Sequence, residues 1–195
     1  MGTTPLYVQF LITGLQASIW ICLLFSTFVG VEWIYRVLQS NLYEWQLFLA
    51  PIFLSIIYVV GIVVDRLSDL LFTPWSNRLK TLMIPNPPRP ISVMRFQIGK
   101  DSEALNGQLE YTRSRMRVVR ATSVNVALIT LFAILLVTRT TSIVDVALRR
   151  SAALSIFVIG VLFLVTLLYT YYKLMKTTLF LIREHYKLVA VDQNN

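Results

Sequence analysis

The stretch Leu6–Val31, LYVQFLITGLQASIWICLLFSTFVGV, contains no charged residue. A helix needs about 18–20 apolar residues to cross the ~30 Å hydrocarbon core of a bilayer, and this run is long enough. Three further uncharged runs follow, at Trp45–Val64, Ala121–Thr138 and Ser151–Tyr172. Four such runs predict an all-α fold: a polytopic membrane protein with four transmembrane helices. The chain has 195 residues, 56% of them hydrophobic, with a mean hydropathy of +0.65. Soluble domains sit near 45–50% apolar. Here the surplus lies in the runs rather than being spread along the chain.

The segment between the second and third runs, 65–120, is too short and too charged for a large soluble domain. The expected organisation is therefore one membrane domain over 1–195, with 65–120 as a cytoplasmic segment and 173–195 as a cytoplasmic tail. The opening Met1-Gly2-Thr3-Thr4-Pro5 lacks the basic n-region of a secretory signal, so no signal peptide is expected. Leu6 replaces the Ser or Thr of a myristoylation signal. The only cysteine, Cys22, lies inside the first run and reads as a small apolar residue.

Lysine and arginine resist translocation and collect on the cytoplasmic side. All but Arg36, Arg139, Arg149 and Arg150 of the 18 basic residues fall in 65–120 or after Tyr172. Both termini are therefore expected in the cytoplasm. This topology accounts for most of the formal net charge of +8, so no nucleic-acid partner is expected. Trp33 and Trp45 at the outer ends of the first two spans, and Trp75, Tyr169, Tyr171 and Tyr172 at the inner ends, suit the headgroup layers.

The first hairpin is expected to turn at Gln39-Ser40-Asn41. Pro51 fits a first helical turn, a late start or a kink, and Gly61 permits a close helix contact. The second helix continues in helical rhythm through Asp65-Arg66-Leu67-Ser68-Asp69 and is expected to stop before Pro74. The prolines of Pro85-Asn86-Pro87-Pro88-Arg89-Pro90 predict an extended connector. Ile91–Ile98 partly alternates apolar and polar residues, which reads as a short strand or a packed loop. Asp101-Ser102 reads as a helix start. From there a helix is expected to run through the third span, and the fourth span to continue past Tyr172 to about Val189. Both extensions carry apolar stripes at spacings of three and four: Leu105, Leu109, Thr112, Met116 and Val119 in one, and Met175, Leu179, Ile182, Tyr186 and Val189 in the other. The stripes predict that the extensions pack together or against further copies of the chain.

Glu110, Arg113, Arg117 and Arg120 recur at helical spacing just before the third span. Arginine forks bind phosphate or carboxylate bidentately, so an anion, a lipid headgroup or an acidic partner is one reading. The other is positive-inside charge closed by internal ion pairs. Asp65 and Asp69 supply the partners, because carboxylates at a helix C-terminus oppose the helix dipole and need compensation. A network of Asp65 and Asp69 with Arg113, Arg117 or Arg120 is expected; a cation site at a pore mouth is the alternative. Within the spans, Gln9, Gln16, Ser18, Asn125 and Thr130 are candidates for interhelical hydrogen bonds. No charge is embedded deep in a span, which argues against a proton pump, an ion-coupled carrier or a voltage sensor. One Cys and one His, His185, make no metal constellation, and neither a phosphate loop nor a nucleophile elbow is present. No catalytic residue, metal or cofactor is expected.

The segments Asp65-Arg66-Leu67-Ser68-Asp69, Pro74-Trp75 and Leu109-Glu110-Tyr111-Thr112-Arg113-Ser114-Arg115-Met116-Arg117 resemble those of a group of small uncharacterised bacterial four-helix membrane proteins. The resemblance implies a bacterial cytoplasmic membrane and supplies no activity. The resulting expectation is a non-enzymatic, oligomeric membrane module. Its basic cytoplasmic face enters an interaction that gates a pore or makes it a membrane effector. The alternative is a structural or assembly subunit that anchors a larger complex.

Overall fold

The computed structural model of the protein describes residues 4–39, 46–85, 90–139 and 145–192. Its helices are α1 (Thr4–Val29), α2 (Glu32–Gln39), α3 (Gln46–Met83), α4 (Ile91–Asp101), α5 (Glu103–Arg139) and α6 (Val146–Asp192). The described elements are all helical, and α1, α3, α5 and α6 are each long and apolar enough to cross a membrane. The chain therefore reads as a multi-pass membrane protein. Ser40, Asn41, Trp45 and Asn86–Arg89 lie outside the described residues, as do the side chains of Tyr186 and Val189.

The four long helices alternate in direction. A Cβ on Gly14 of α1 would meet Ile57 O of α3, and one on Gly61 of α3 would meet Phe10 O of α1, so these two run antiparallel. Gln9, Gln16 and Trp20 of α1 pair in that order with Ser114, Thr122 and Asn125 of α5, so α1 and α5 run parallel. The start of α1, the C-terminal end of α3, the start of α5 and the end of α6 thus share one end of the bundle.

Within the spans, association rests on small and polar residues, since lipid tails are as apolar as the side chains they replace. Ala17, Ala121 and Ser123 are buried, while Phe53, Val59, Leu162 and Phe163 point outward. Gly14 and Gly61 allow the backbones of α1 and α3 to touch, because a Cβ there would lie 1.8 Å and 1.9 Å from the facing carbonyl oxygens. α1 ends where Gly30 adopts φ +91° and donates its N–H to Ser26 O at 3.0 Å, a left-handed C-terminal stop that glycine tolerates. Trp33 folds back from α2, donating from Nε1 to Ser26 Oγ at 3.2 Å and packing edge-on to Phe25.

The expected stop before Pro74 is not observed. α3 continues for 38 residues with Pro51 and Pro74 inside it, about 57 Å at helical rise. Pro74 deprives Leu70 O of its helical donor, but packing beyond it holds the helix. Phe72, Leu79 and Ile84 are buried with Met116, Tyr171, Met175 and Leu179, and Trp75 lies against them. The ring of Tyr171 meets Phe72 at 5.0 Å and Trp75 at 5.2 Å. The apolar stripes of α5 and α6 do meet here, joined by α3.

The strand or loop reading of Ile91–Ile98 is also corrected, because this segment is helix α4. Ile91, Met94 and Ile98 fall at spacings of three and four, and this face packs on Leu105, Leu109 and Ile182. Helical periodicity therefore prevails over the partial alternation. Ser102 is extended (φ −149°, ψ 113°) and separates α4 from α5. Its Oγ accepts the Leu105 N–H at 3.4 Å, the N-cap arrangement. Asp101 belongs to α4, so α5 starts one residue after the cap.

Candidate functional site

Where the apolar segments give way to a helical lobe, formed by α4, the start of α5 and the C-terminal parts of α3 and α6, a cavity of about 590 Å³ opens between these four helices. Phe10 and Ile62 border it on the span side, and Met116, Tyr171 and Met175 also line it. The remaining wall is polar: Asp65, Asp69, Thr73, Ser76 and Asn77 with Arg66, Lys80, Arg95, Arg113, Arg117 and Arg120. Six cations thus surround two carboxylates.

Arg120 Nη1 lies 2.5 Å from Asp69 Oδ1, with the arginine side chain 15% exposed and the aspartate 50%. This contact ties α5 to α3 at the top of the lobe. Arg113 pairs with Glu110 at 3.8 Å, but both side chains are more than half exposed, so the pair contributes little. Asp65 and Arg117 line the cavity and form no ion pair among the described residues. Glu110 lies outside this cavity and borders a neighbouring one of about 510 Å³ with Arg113 and Arg117. The structure thus gathers Asp65, Asp69, Arg113, Arg117 and Arg120 and leaves Glu110 beside them.

Arg95 and Lys80 are the residues that sequence reasoning missed. Arg95 comes from α4, whose helical register Ile91/Met94/Ile98 was the available signal. Lys80 lies on the part of α3 beyond Pro74. Burial, and then the charge of Arg113, hold Arg95 below the ordinary arginine value, while Glu110 acts in the opposite sense. The Nε groups of Arg95 and Arg120 are buried without a hydrogen-bond partner among the described residues.

A second polar constellation lies inside the bundle. Asn125 is fully buried. Its Nδ2 donates to Thr13 O at 3.0 Å and to Gln16 Oε1 at 3.3 Å, while its Oδ1 accepts from Trp20 Nε1 at 3.1 Å. Thr122 Oγ1 donates to Gln16 Oε1 at 3.1 Å, and Gln9 Nε2 donates to Ser114 Oγ. Gln9, Gln16 and Asn125 therefore bridge α1 and α5. Ser18 and Thr130 do not bridge helices through their hydroxyls, which donate to Leu15 O and Val126 O of their own helices. A hydroxyl within reach of a preceding carbonyl satisfies itself locally. Trp20 was not anticipated as a partner; nothing in its local sequence distinguishes it from a lipid-facing aromatic.

Among the described residues, no group of three or more His, Cys, Asp or Glu side chains is placed to hold a metal ion. No protein-family model, curated protein or solved structure matches this chain.

Proposed function

We propose that this chain is a non-enzymatic membrane module. In this reading its basic lobe is cytoplasmic, both termini lie on that side, and the lobe's cavity engages an anionic group or partner. The observation that carries the reading is continuity: α3, α5 and α6 each run unbroken from an apolar span into the lobe. A change at the cavity can then be transmitted into the bilayer as a rigid-body shift of whole helices. The Arg120–Asp69 pair stands at the junction. Self-assembly in the membrane, with gating of a pore or disturbance of the bilayer as output, is the form of action we favour.

The test pairs native mass measurement in mild detergent with dye release from vesicles holding the purified protein. The reading expects a closed ring of identical chains, and release that changes on Arg113→Glu with Arg117→Glu. A monomer or dimer that always carries another protein would replace it with the anchoring-subunit alternative. Assembly and leakage unaltered by the charge reversals would remove the lobe from the mechanism.

A further inference from the structure

We propose that the cavity is a phosphate site, in which Arg95, Arg113 and Arg117 hold a terminal phosphate group, with its three free oxygens, at the depth of the lipid headgroups. The inference rests on the membrane-module reading above and names the ligand class of the same cavity.

Three observations lead to it. The first is hydrogen-bonding capacity. Arg95, Arg113 and Arg117 all line the cavity, and among the described residues none of the three is paired with a carboxylate that lines it. Their guanidinium forks suit an acceptor with several oxygens. The second is charge. Asp69 is engaged by Arg120, which leaves Asp65 facing Arg66, Lys80, Arg95, Arg113 and Arg117. A single carboxylate ligand would leave most of that charge uncompensated, whereas a dianion with three terminal oxygens matches it and suits the planar guanidinium fork. The third is depth. Phe10 and Ile62 at one edge belong to the spans, while Thr73 and Ser76 belong to the lobe, so the cavity lies at the boundary where lipid phosphates reside. Its volume, about 590 Å³, is in the range of small-ligand sites.

The phosphate can come from a lipid headgroup or from a free phosphate compound, and the experiment separates the two. The full-length protein in detergent is titrated with pyrophosphate. In parallel, the protein in nanodiscs is analysed by native mass spectrometry with phosphatidic acid or phosphatidylcholine as the added lipid. We expect saturable binding of one phosphate group per chain. Arg95→Gln and Arg117→Gln should each weaken it roughly tenfold. Arg115→Gln, whose guanidinium lies over the Tyr111 ring outside the cavity lining, should leave it unchanged. Retention of phosphatidic acid alone would identify a lipid site; pyrophosphate binding that displaces the lipid would identify a soluble ligand. Binding of neither, or equal binding by all variants, would overturn the proposal. Melting curves for each variant separate lost binding from lost fold, and the half-buried Arg117 provides the test if Arg95→Gln unfolds. If phosphate does not bind while the Arg113 and Arg117 charge reversals still alter assembly or leakage, the module reading stands and only the ligand class fails.

Discussion

Trp20 and Asn125, 105 residues apart in the chain, meet between α1 and α5, where the indole Nε1 donates to the amide Oδ1 at 3.1 Å. The amide also serves Thr13 O and Gln16 Oε1, so both ends of a fully buried side chain are satisfied. Asn125→Leu would strand the Trp20 donor in an apolar setting and remove the second hydrogen bond to the helical Thr13 carbonyl. Interhelical hydrogen bonds in membranes are each worth about 1 kcal/mol, so we expect a loss of roughly 1–3 kcal/mol. Trp20→Phe should cost less, because Asn125 keeps its donor bonds. Thermal unfolding in detergent measures both; equal Tm values for wild type and Asn125→Leu would show that the network is energetically idle.

The Arg120–Asp69 pair is partly buried on the arginine side. Asp69→Ala leaves a shielded cation without its partner and should destabilise by about 1–3 kcal/mol, less than the loss of a fully buried pair, because Asp69 is half exposed. Arg120→Met in the Asp69→Ala background should recover part of that loss. A double-mutant cycle in chemical denaturation checks this, and strictly additive effects would rule out the coupling.

At the α1–α3 crossing no side chain can intervene. A Cβ on Gly14 or Gly61 would sit within 2 Å of a backbone oxygen, so the helices must separate. Gly14→Ala and Gly61→Ala should each lower stability by about 2 kcal/mol or more, in the manner of overpacked cores. At Gly160 the obstruction is the side chain of Thr130, at 2.3 Å. Gly160→Ala should therefore be rescued in part by Thr130→Ala, which removes the two nearest atoms but leaves the Thr130 Cβ at 2.9 Å, a rescue without counterpart at Gly14. Size-exclusion profiles and melting of the single and double variants distinguish the two cases.

Pro74 is exposed within a helix whose packing continues beyond it. Pro74→Ala restores a donor to Leu70 O and should stabilise the protein by about 1 kcal/mol, after allowing for the added freedom of the unfolded chain. A lower Tm would instead mean that the local geometry imposed by proline is needed to seat Trp75 on Tyr171.

Legibility in the sequence followed the range of the interaction concerned. The spans could be read because charge exclusion over about 20 residues is a local property. The Ser102 cap could be approached within one residue for the same reason. The paired stripes Leu105/Leu109/Met116 and Met175/Leu179/Ile182 were visible because helical spacing repeats within each segment. The misreadings share a cause. Proline inside α3 and partial alternation in 91–98 are local signals, and both were outweighed by burial against α5 and α6, of Phe72, Trp75 and Leu79 in the first case and of Ile91, Met94 and Ile98 in the second.

The sequence by itself determined that this chain is helical, that four of its segments are apolar enough to cross a membrane, and that its basic residues gather at one end. Composition and periodicity act within a segment and need no partner to be expressed. Only the tertiary structure decided that Asp69 meets Arg120, that Asn125 meets Trp20, and that Arg95 and Lys80 join the arginines of α5 around one cavity. Those meetings depend on helix direction, crossing distance and depth, which are set by Gly14 against Ile57 and by the core around Tyr171 rather than by any neighbour in sequence.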